Sequence, residues 1–240
     1  MADEQSRFTL DRNPTDRRRF LGALAGTTAV VLFGGVKYVL ADVEKAERLA
    51  KAKRPDGKPR MPPDQYLLER LRPMGGTEGD ASPGKFRLRV SGSVENPFEI
   101  DFAELLKMPQ QDQLCDVHCV TKWTVLDSRW QGVRVSDLAA RAKPKASARF
   151  VVFEAAGGYT SNVDLAEAMK PEVLVAHRLE GEPLARRNGA PVRALVPDRY
   201  FWKSAKWLTG IRFVDKDEPG YWELRGYNNH ADPWREERYG

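Results

Sequence analysis

Between residues 86 and 214, proline and glycine cut the chain into segments too short for long helices or a long unbroken strand. Phe86, Leu88 and Val90 alternate with charged residues and stop at Gly92, the pattern of a half-buried strand. Asp101-Phe-Ala-Glu104 has the form of a capping box, opening a short helix through Lys107 that Pro109 stops. Leu114–Val120 reads as a strand and Trp130-Gln-Gly132 as a turn. Ser136 reads as the cap of a helix that runs to Lys143 and ends at Pro144. Arg149–Ala155 is a predicted strand, Gly157-Gly158 a turn, and Asp164 with Glu167 the cap of another short helix. Glu172–Leu179, Pro191–Val196 and Trp207–Val214 complete the expected strands, with a hairpin-like turn at Glu180-Gly181. Short strands mixed with short helices, without regular βαβ alternation, predict an α+β domain of mixed sheets over residues 86–240.

The segments before this body differ in kind. Residues 42–85 read as a linker or wrapping arm, rich in Pro, Gly and charge over 53–85, with one short amphipathic helix, Gln65–Leu71. Residues 1–41 read as an address. Asp16-Arg17-Arg18-Arg19 precedes an apolar run, 20–40, interrupted by Lys37 and about long enough to cross a bilayer. An ordinary positive-inside anchor or Sec signal is one reading. Thr15-Asp-Arg-Arg-Arg-Phe-Leu-Gly22 also fits a twin-arginine signal, with Arg17 and Arg18 as the pair and the twin-arginine translocase as partner. Val39-Leu40-Ala41 suits a cleavage site, while the charged pattern after it could continue a retained anchor. Either way the body is expected outside the cytoplasmic membrane, in the periplasm or its equivalent.

Charge removes one class of function. The net charge of +5 suggests nucleic acid, but residues 1–60 hold 13 Lys/Arg against 8 Asp/Glu. The whole excess therefore belongs to the N-terminal segment, the remaining 180 residues are neutral, and no nucleic-acid partner is expected.

Two cysteines, Cys115 and Cys119, are too few for a disulfide scaffold or a cysteine-only zinc site. On one strand they would lie roughly 13 Å apart, beyond disulfide reach; a turn would reopen the pairing. Downstream, Arg186 to Arg212 carries seven cations (Arg186, Arg187, Arg193, Arg199, Lys203, Lys206 and Arg212) against one acid, Asp198. A charge run is often a solvated face, but these cations are interleaved with Val192, Leu195, Tyr200, Phe201, Trp202 and Trp207. Cations among apolar side chains suggest a pocket for an anion such as phosphate. A thiol and a phosphate pocket together describe a cofactor with a metal end and a phosphate end.

The pieces His118-Cys-Val-Thr-Lys-Trp123, Gly189-Ala-Pro-Val-Arg193 through Ile211, and Pro219-Gly-Tyr-Trp222 through Tyr239 carry a resemblance. Over roughly residues 60–240 the chain resembles the molybdopterin-binding domain of the sulfite oxidase superfamily. It is most similar to stand-alone bacterial members such as the methionine-sulfoxide reductase catalytic subunits. The resemblance implies the sulfite-oxidase-type fold and a molybdenum–molybdopterin cofactor with a single pterin. Cys119 matches the cysteine that gives the metal its protein thiolate. Asn188 and Arg193 match positions that bind the pterin and its phosphate, and Ser204, Ala205 and Lys206 match the segment that wraps the phosphate. Lys203 and His118 lie beside matched positions, and Tyr159, Thr160 and His177 are pocket candidates by neighbourhood. The implied chemistry is two-electron oxygen-atom transfer on a small sulfur-containing substrate. No haem-module sequence is present, so a separate haem or cytochrome partner is expected for electrons. Two features depart from the family: an upstream N-x-x-Y-E-F-like segment is missing, and Val120-Thr121-Lys122 stands where sulfite oxidases carry an arginine pair. A catalytically silent binding module of the same fold is the alternative.

Overall fold

The computed structural model describes residues 47–240; the signal or anchor read in residues 1–41 lies outside the described residues. The chain forms two sheets. The strands are, in order, β1 (Tyr66–Leu67), β2 (Arg87–Gly92), β3 (Phe98–Asp101), β4 (Gln111–His118), β5 (Trp123–Arg134), β6 (Phe150–Ala155), β7 (Thr160–Asp164), β8 (Leu174–Leu179), β9 (Glu182–Pro183), β10 (Arg193–Leu195) and β11 (Leu208–Val214). Three short helices intervene: α1 (Phe102–Lys107), α2 (Val135–Ala142) and α3 (Leu165–Ala168). Among the described residues no helix is long and apolar enough to cross a membrane.

One sheet has the order β3-β2-β11-β6-β7, with β2 and β11 parallel and the other pairs antiparallel. Leu88 and Val90 of β2 are fully buried while Arg87 and Arg89 point out, as the alternation predicts. Phe153, Ile211, Phe213 and Ile100 extend this core to Leu105 of α1 and Leu138 of α2. The capping box of α1 forms as read: the Asp101 carboxylate accepts from Glu104 N at 2.8 Å, and Glu104 Oε2 accepts from Asp101 N at 3.1 Å. Asp164 likewise caps α3 through Glu167 N at 2.7 Å.

The other sheet has the path β1-β5-β8-β10, with β4 on β5 and β9 on β8. Its centre, β5, corrects the turn expected at Trp130–Gly132, which lies inside a strand of 12 residues. A Cβ at Gly132 would sit 2.2 Å from the Val175 carbonyl oxygen, so glycine here permits a close strand approach at a bulge in the β5–β8 register. The expected helix at Gln65–Leu71 is also corrected. Tyr66 and Leu67 pair with Trp123 and Thr124 as a parallel edge strand, because the arm is tied to β5 by its backbone. Helix α2 starts at Val135, with Arg134 at its cap and no side-chain cap bond, rather than on Ser136. Strand β4 stops at His118, so Cys119 is the first residue of the turn into β5.

The arm runs over both sheets. Arg60 forks onto Asp116 at 2.9 and 2.5 Å and reaches Asp127 at 2.7 Å, while Arg54 binds Asp198 at 2.7 Å. Further along, Arg186 pairs with Glu78 at 3.0 Å, and Gly76 and Gly79 lie flat against Trp207, where a Cβ would clash.

Candidate active site

The Cys119 turn is built by its own backbone. Cys119 N donates to Trp123 O at 2.9 Å, and Lys122 N donates back to Cys119 O at 3.0 Å, with Lys122 at φ 72°. From the arm, Gln65 Nε2 donates to the same carbonyl at 3.2 Å. Val117, Cys119, Trp123, Val125 and Trp130 form an apolar cluster with Leu174, Ala176, Leu184, Ala190 and Leu195. Cys119 is 5% exposed; burial pushes its thiol pKa up, opposed by the Thr121 hydroxyl at 3.2 Å and by the charge of Arg238. Both cysteines are free.

His118 is fully buried. Its Nδ1 lies 2.9 Å from Thr124 Oγ1, whose own hydrogen goes to Gln65 Oε1 at 3.3 Å. With that hydroxyl hydrogen engaged, His118 donates from Nδ1, and Nε2 is left as a lone pair with no partner. Burial lowers its pKa to about 4, so the ring is neutral.

Arg193 is the other pole. It is 2% exposed, and its three nitrogens donate to the carbonyls of Ala194 at 3.3 Å, Asn188 at 3.0 Å and Ser204 at 2.7 Å. The guanidinium lies 4.1 Å over Phe201 and 5.6 Å from the Trp130 centroid. No carboxylate pairs with it among the described residues, and burial lowers its pKa to about 9. A buried cation without an acid is costly unless an anion joins it. Beside it, Gly189 at φ 104° leaves a gap that a Cβ would close against the Cβ atoms of Lys206 and Arg193, at 3.0 and 3.1 Å. Lys206 extends over Trp207, 4.3 Å from its centroid, and its ammonium donates to the carbonyls of Met74 and Arg187. Burial, then the charge of Arg193, lowers its pKa to about 8.

Phe201 links the two poles. It packs on the Cys119 cluster, edge-on to Trp123 at 6.2 Å, and carries Arg193 on its face. Arg193 thus meets the cluster that buries Cys119 through Phe201, while Asn188 and Lys206 flank Arg193, through its bond to Asn188 O and across the gap at Gly189. The remaining expected residues serve differently. Ser204 Oγ accepts from Val196 N at 2.9 Å, and the N–H groups of Ser204 and Ala205 close local turns onto Phe201 O and Lys203 O. Lys203 is sealed in an ion pair with Glu223 at 2.5 Å and a bond to Asn162 at 2.9 Å. Tyr159 donates to Trp202 O at 2.5 Å, Thr160 O accepts from Tyr221 N, and His177 meets Gln110 at 2.8 Å, each in a local structural contact. Sequence reasoning missed Gln65 and Arg238. Arg238 donates to Val120 O at 2.5 Å.

An acid-free buried guanidinium, a gap kept open by glycine and a buried thiol fit a cofactor with an anionic end and a metal end. Residues 75–222 match the family described as oxidoreductase molybdopterin binding domain. The chain is 37% identical over 191 residues to the protein named Uncharacterized oxidoreductase YuiH of Bacillus subtilis (strain 168), covering 79% of this chain and 96% of that one. It is 33% identical over 169 residues to the protein-methionine-sulfoxide reductase catalytic subunit MsrP of Ralstonia nicotianae, covering 64% of this chain and 51% of that one. The corresponding subunit of Burkholderia mallei is 32% identical over the same shares. The match therefore spans about half the length of these two subunits. Among solved structures, the sulfane dehydrogenase SoxCD of Paracoccus pantotrophus shares the fold, with a TM-score of 0.53, 23% identity, and coverage of 58% of this chain and 40% of that one.

The fold and the family match together define a molybdopterin-binding oxidoreductase of the sulfite oxidase type. The chain belongs to the oxidoreductase molybdopterin-binding domain family of the sulfite oxidase superfamily.

Proposed function

We propose that this chain is an exported molybdenum–molybdopterin oxidoreductase that moves an oxygen atom to or from a small sulfur-containing substrate, of sulfoxide or sulfite type. The observation that carries the reading is Arg193, a buried guanidinium with no acid partner, resting on the aromatic cluster that also buries Cys119. The names of the reductase subunits in Ralstonia and Burkholderia favour the sulfoxide side.

Cys119 would hold the metal as a soft thiolate ligand. Arg193 and Lys206 would hold the phosphate, with Asn188 and the gap at Gly189 seating the pterin beside them. Ser204 and Ala205 frame that seat, and Lys203, through Glu223, fixes the short helix from Phe201 that supports it. His118, neutral and anchored on Thr124, holds the turn behind the ligand and offers Nε2 as an acceptor. Once bound, the cofactor would supply the oxygen-atom transfer, giving two electrons for a reduction or taking two for an oxidation. The protein buries the thiol, excludes water from it and fixes its direction through the bonds onto Cys119 N and O. Electrons would be exchanged with a separate haem or cytochrome partner. Export through the twin-arginine translocase would suit a chain that folds around its cofactor before crossing.

Metal and pterin analysis of natively exported protein, followed by a transfer screen with sulfite, sulfoxides and N-oxides, tests the reading. Equimolar molybdenum and pterin with turnover of a sulfur substrate is expected. Folded native protein holding neither would overturn it in favour of a silent binding module.

A further inference from the structure

The C-terminal tail brings an indole onto the ring beside Cys119. Trp234 sits in a short 3-10 turn, Pro233–Arg235, where its backbone N–H donates to Asp232 Oδ1 at 2.8 Å. The half-buried indole stands edge-on to the fully buried His118 ring, with centroids 5.0 Å apart and planes at 76°. Indole and imidazole thus make one aromatic contact that runs from the surface to the residue bonded to Cys119.

The arm frames that indole with positive charge. Residues 48–60 hold six cations (Arg48, Lys51, Lys53, Arg54, Lys58 and Arg60) against one acid, Asp56. They fold as a hairpin: Lys53 bridges Pro59, Arg54 N donates to Lys58 O at 2.8 Å, and Gly57 turns at φ 80°. The guanidinium carbon of Arg54 and the ammonium of Lys58 lie 4.2 and 5.0 Å from the Trp234 centroid. Pro59 O accepts from Trp234 Nε1 at 2.7 Å, so hairpin and indole are one surface. Arg54 pairs with Asp56 and Asp198, Arg60 with Asp116 and Asp127, and Lys58 with Asp232. Arg48, Lys51 and Lys53 are exposed and make no ion pair among the described residues. Glu236 is the neighbouring exposed acid without an ion pair, so the surface keeps a positive excess on an otherwise neutral body.

We propose that Trp234 and the arm hairpin form the docking face for the electron partner, a haem protein with acidic side chains around its haem edge. The proposal rests on the oxygen-atom-transfer reading above and gives its separate partner a place on the chain. Passing electrons needs packed contact and a short gap rather than a cavity, and transient redox encounters bury little surface and depend on charge. The unpaired cations steer the acidic face onto the indole. Electrons cross singly. In each crossing the haem iron changes between Fe(II) and Fe(III), and the metal end of the cofactor changes by one electron in the opposite sense. Two crossings complete a turnover, and the Trp234 and His118 rings bridge the gap without being oxidised or reduced themselves.

The test uses full-length holoenzyme, reduced with dithionite and freed of the excess. Stopped flow follows its reoxidation by ferricyanide, an anion, and by hexaammineruthenium(III), a cation. Calorimetric binding of polyglutamate, a redox-silent acidic chain, reads docking apart from electron transfer. Lys51→Glu combined with Lys53→Glu should slow ferricyanide about tenfold, quicken the ruthenium ion and weaken polyglutamate about tenfold. These differences should close in about 0.5 M salt. Trp234→Leu should slow both oxidants at least about fivefold while polyglutamate affinity stays within about twofold. Trp234→Phe, which keeps a ring on His118, should recover most of the lost rate. An unchanged ratio of the two rates or an unchanged polyglutamate affinity in the lysine pair would overturn the proposal, as would a wild-type rate in Trp234→Leu, and the proposed function would stand. Folded wild-type protein holding neither molybdenum nor pterin would overturn both.

Discussion

Arg193 shows how the burial of a single side chain can point to a ligand. Three backbone carbonyls surround its guanidinium, yet none carries the charge that burial demands be met. Charge-assisted bonds of this kind are worth about 1.5–3 kcal/mol each. Arg193→Gln should therefore weaken pterin retention at least about tenfold, measured as pterin released on dilution. Retention equal to wild type would remove Arg193 from the phosphate end. That Arg193 and Lys206 lie against aromatic rings was legible in the sequence, because the cations are interleaved with those side chains. Cys119 stands out only with its flanking motif, since a lone thiol is more often a packing residue. Gln65 and Arg238 were not legible by pattern. They reach the Cys119 turn from 54 residues before it and, at Val120, from 118 residues after, and only the fold sets those contacts.

Elements tell a similar story through their glycines. The sequence showed the Glu180-Gly181 turn, where Gly181 adopts φ 81° between β8 and β9, and the capping box of α1, because both signals are local. It misplaced Gly132, whose meaning depends on a strand 43 residues away. Gly132→Ala should destabilise the chain by about 3 kcal/mol, since the Val175 carbonyl that meets the new methyl is backbone and cannot step aside. Urea unfolding checks this, and a loss below about 1 kcal/mol would contradict the packing. Where the arm meets Lys206, pH becomes a probe. Its pKa falls from 10.5 to about 8, so the folded chain binds this proton less tightly than the unfolded chain does. Stability of the cofactor-free protein should then rise with pH between those values, because the unfolded state holds more protons there. Anion binding runs the other way: pterin retention should weaken above pH 8 as the ammonium loses its charge. Lys206→Met should flatten that dependence, and an unchanged pH profile in the variant would contradict the assignment.

At the scale of the molecule, one sheet is a support and the other carries the candidate site. The sheet built on β2, β11 and β6 holds most of the apolar core, while the sheet centred on β5 carries Cys119 at one end and Arg193 on β10. The arm and the tail then close over the Cys119 turn from opposite ends of the chain, through Gln65 and Arg238. The α+β class was legible because proline and glycine left no long elements. The sheet order was not, since pairing between distant short strands leaves no local mark. Export belongs to this scale as well. Lysine at both Arg17 and Arg18 should hold the folded protein in the cytoplasm, checked by fractionation, and unimpaired export would point to an ordinary anchor or Sec signal. The central claim is that Cys119 binds the metal, and molybdenum-edge X-ray absorption on the purified enzyme and its Cys119→Ser variant tests it most directly. The account predicts a sulfur shell in the wild type that loses a single scatterer in the variant; identical spectra, or a wild type without molybdenum, would contradict it.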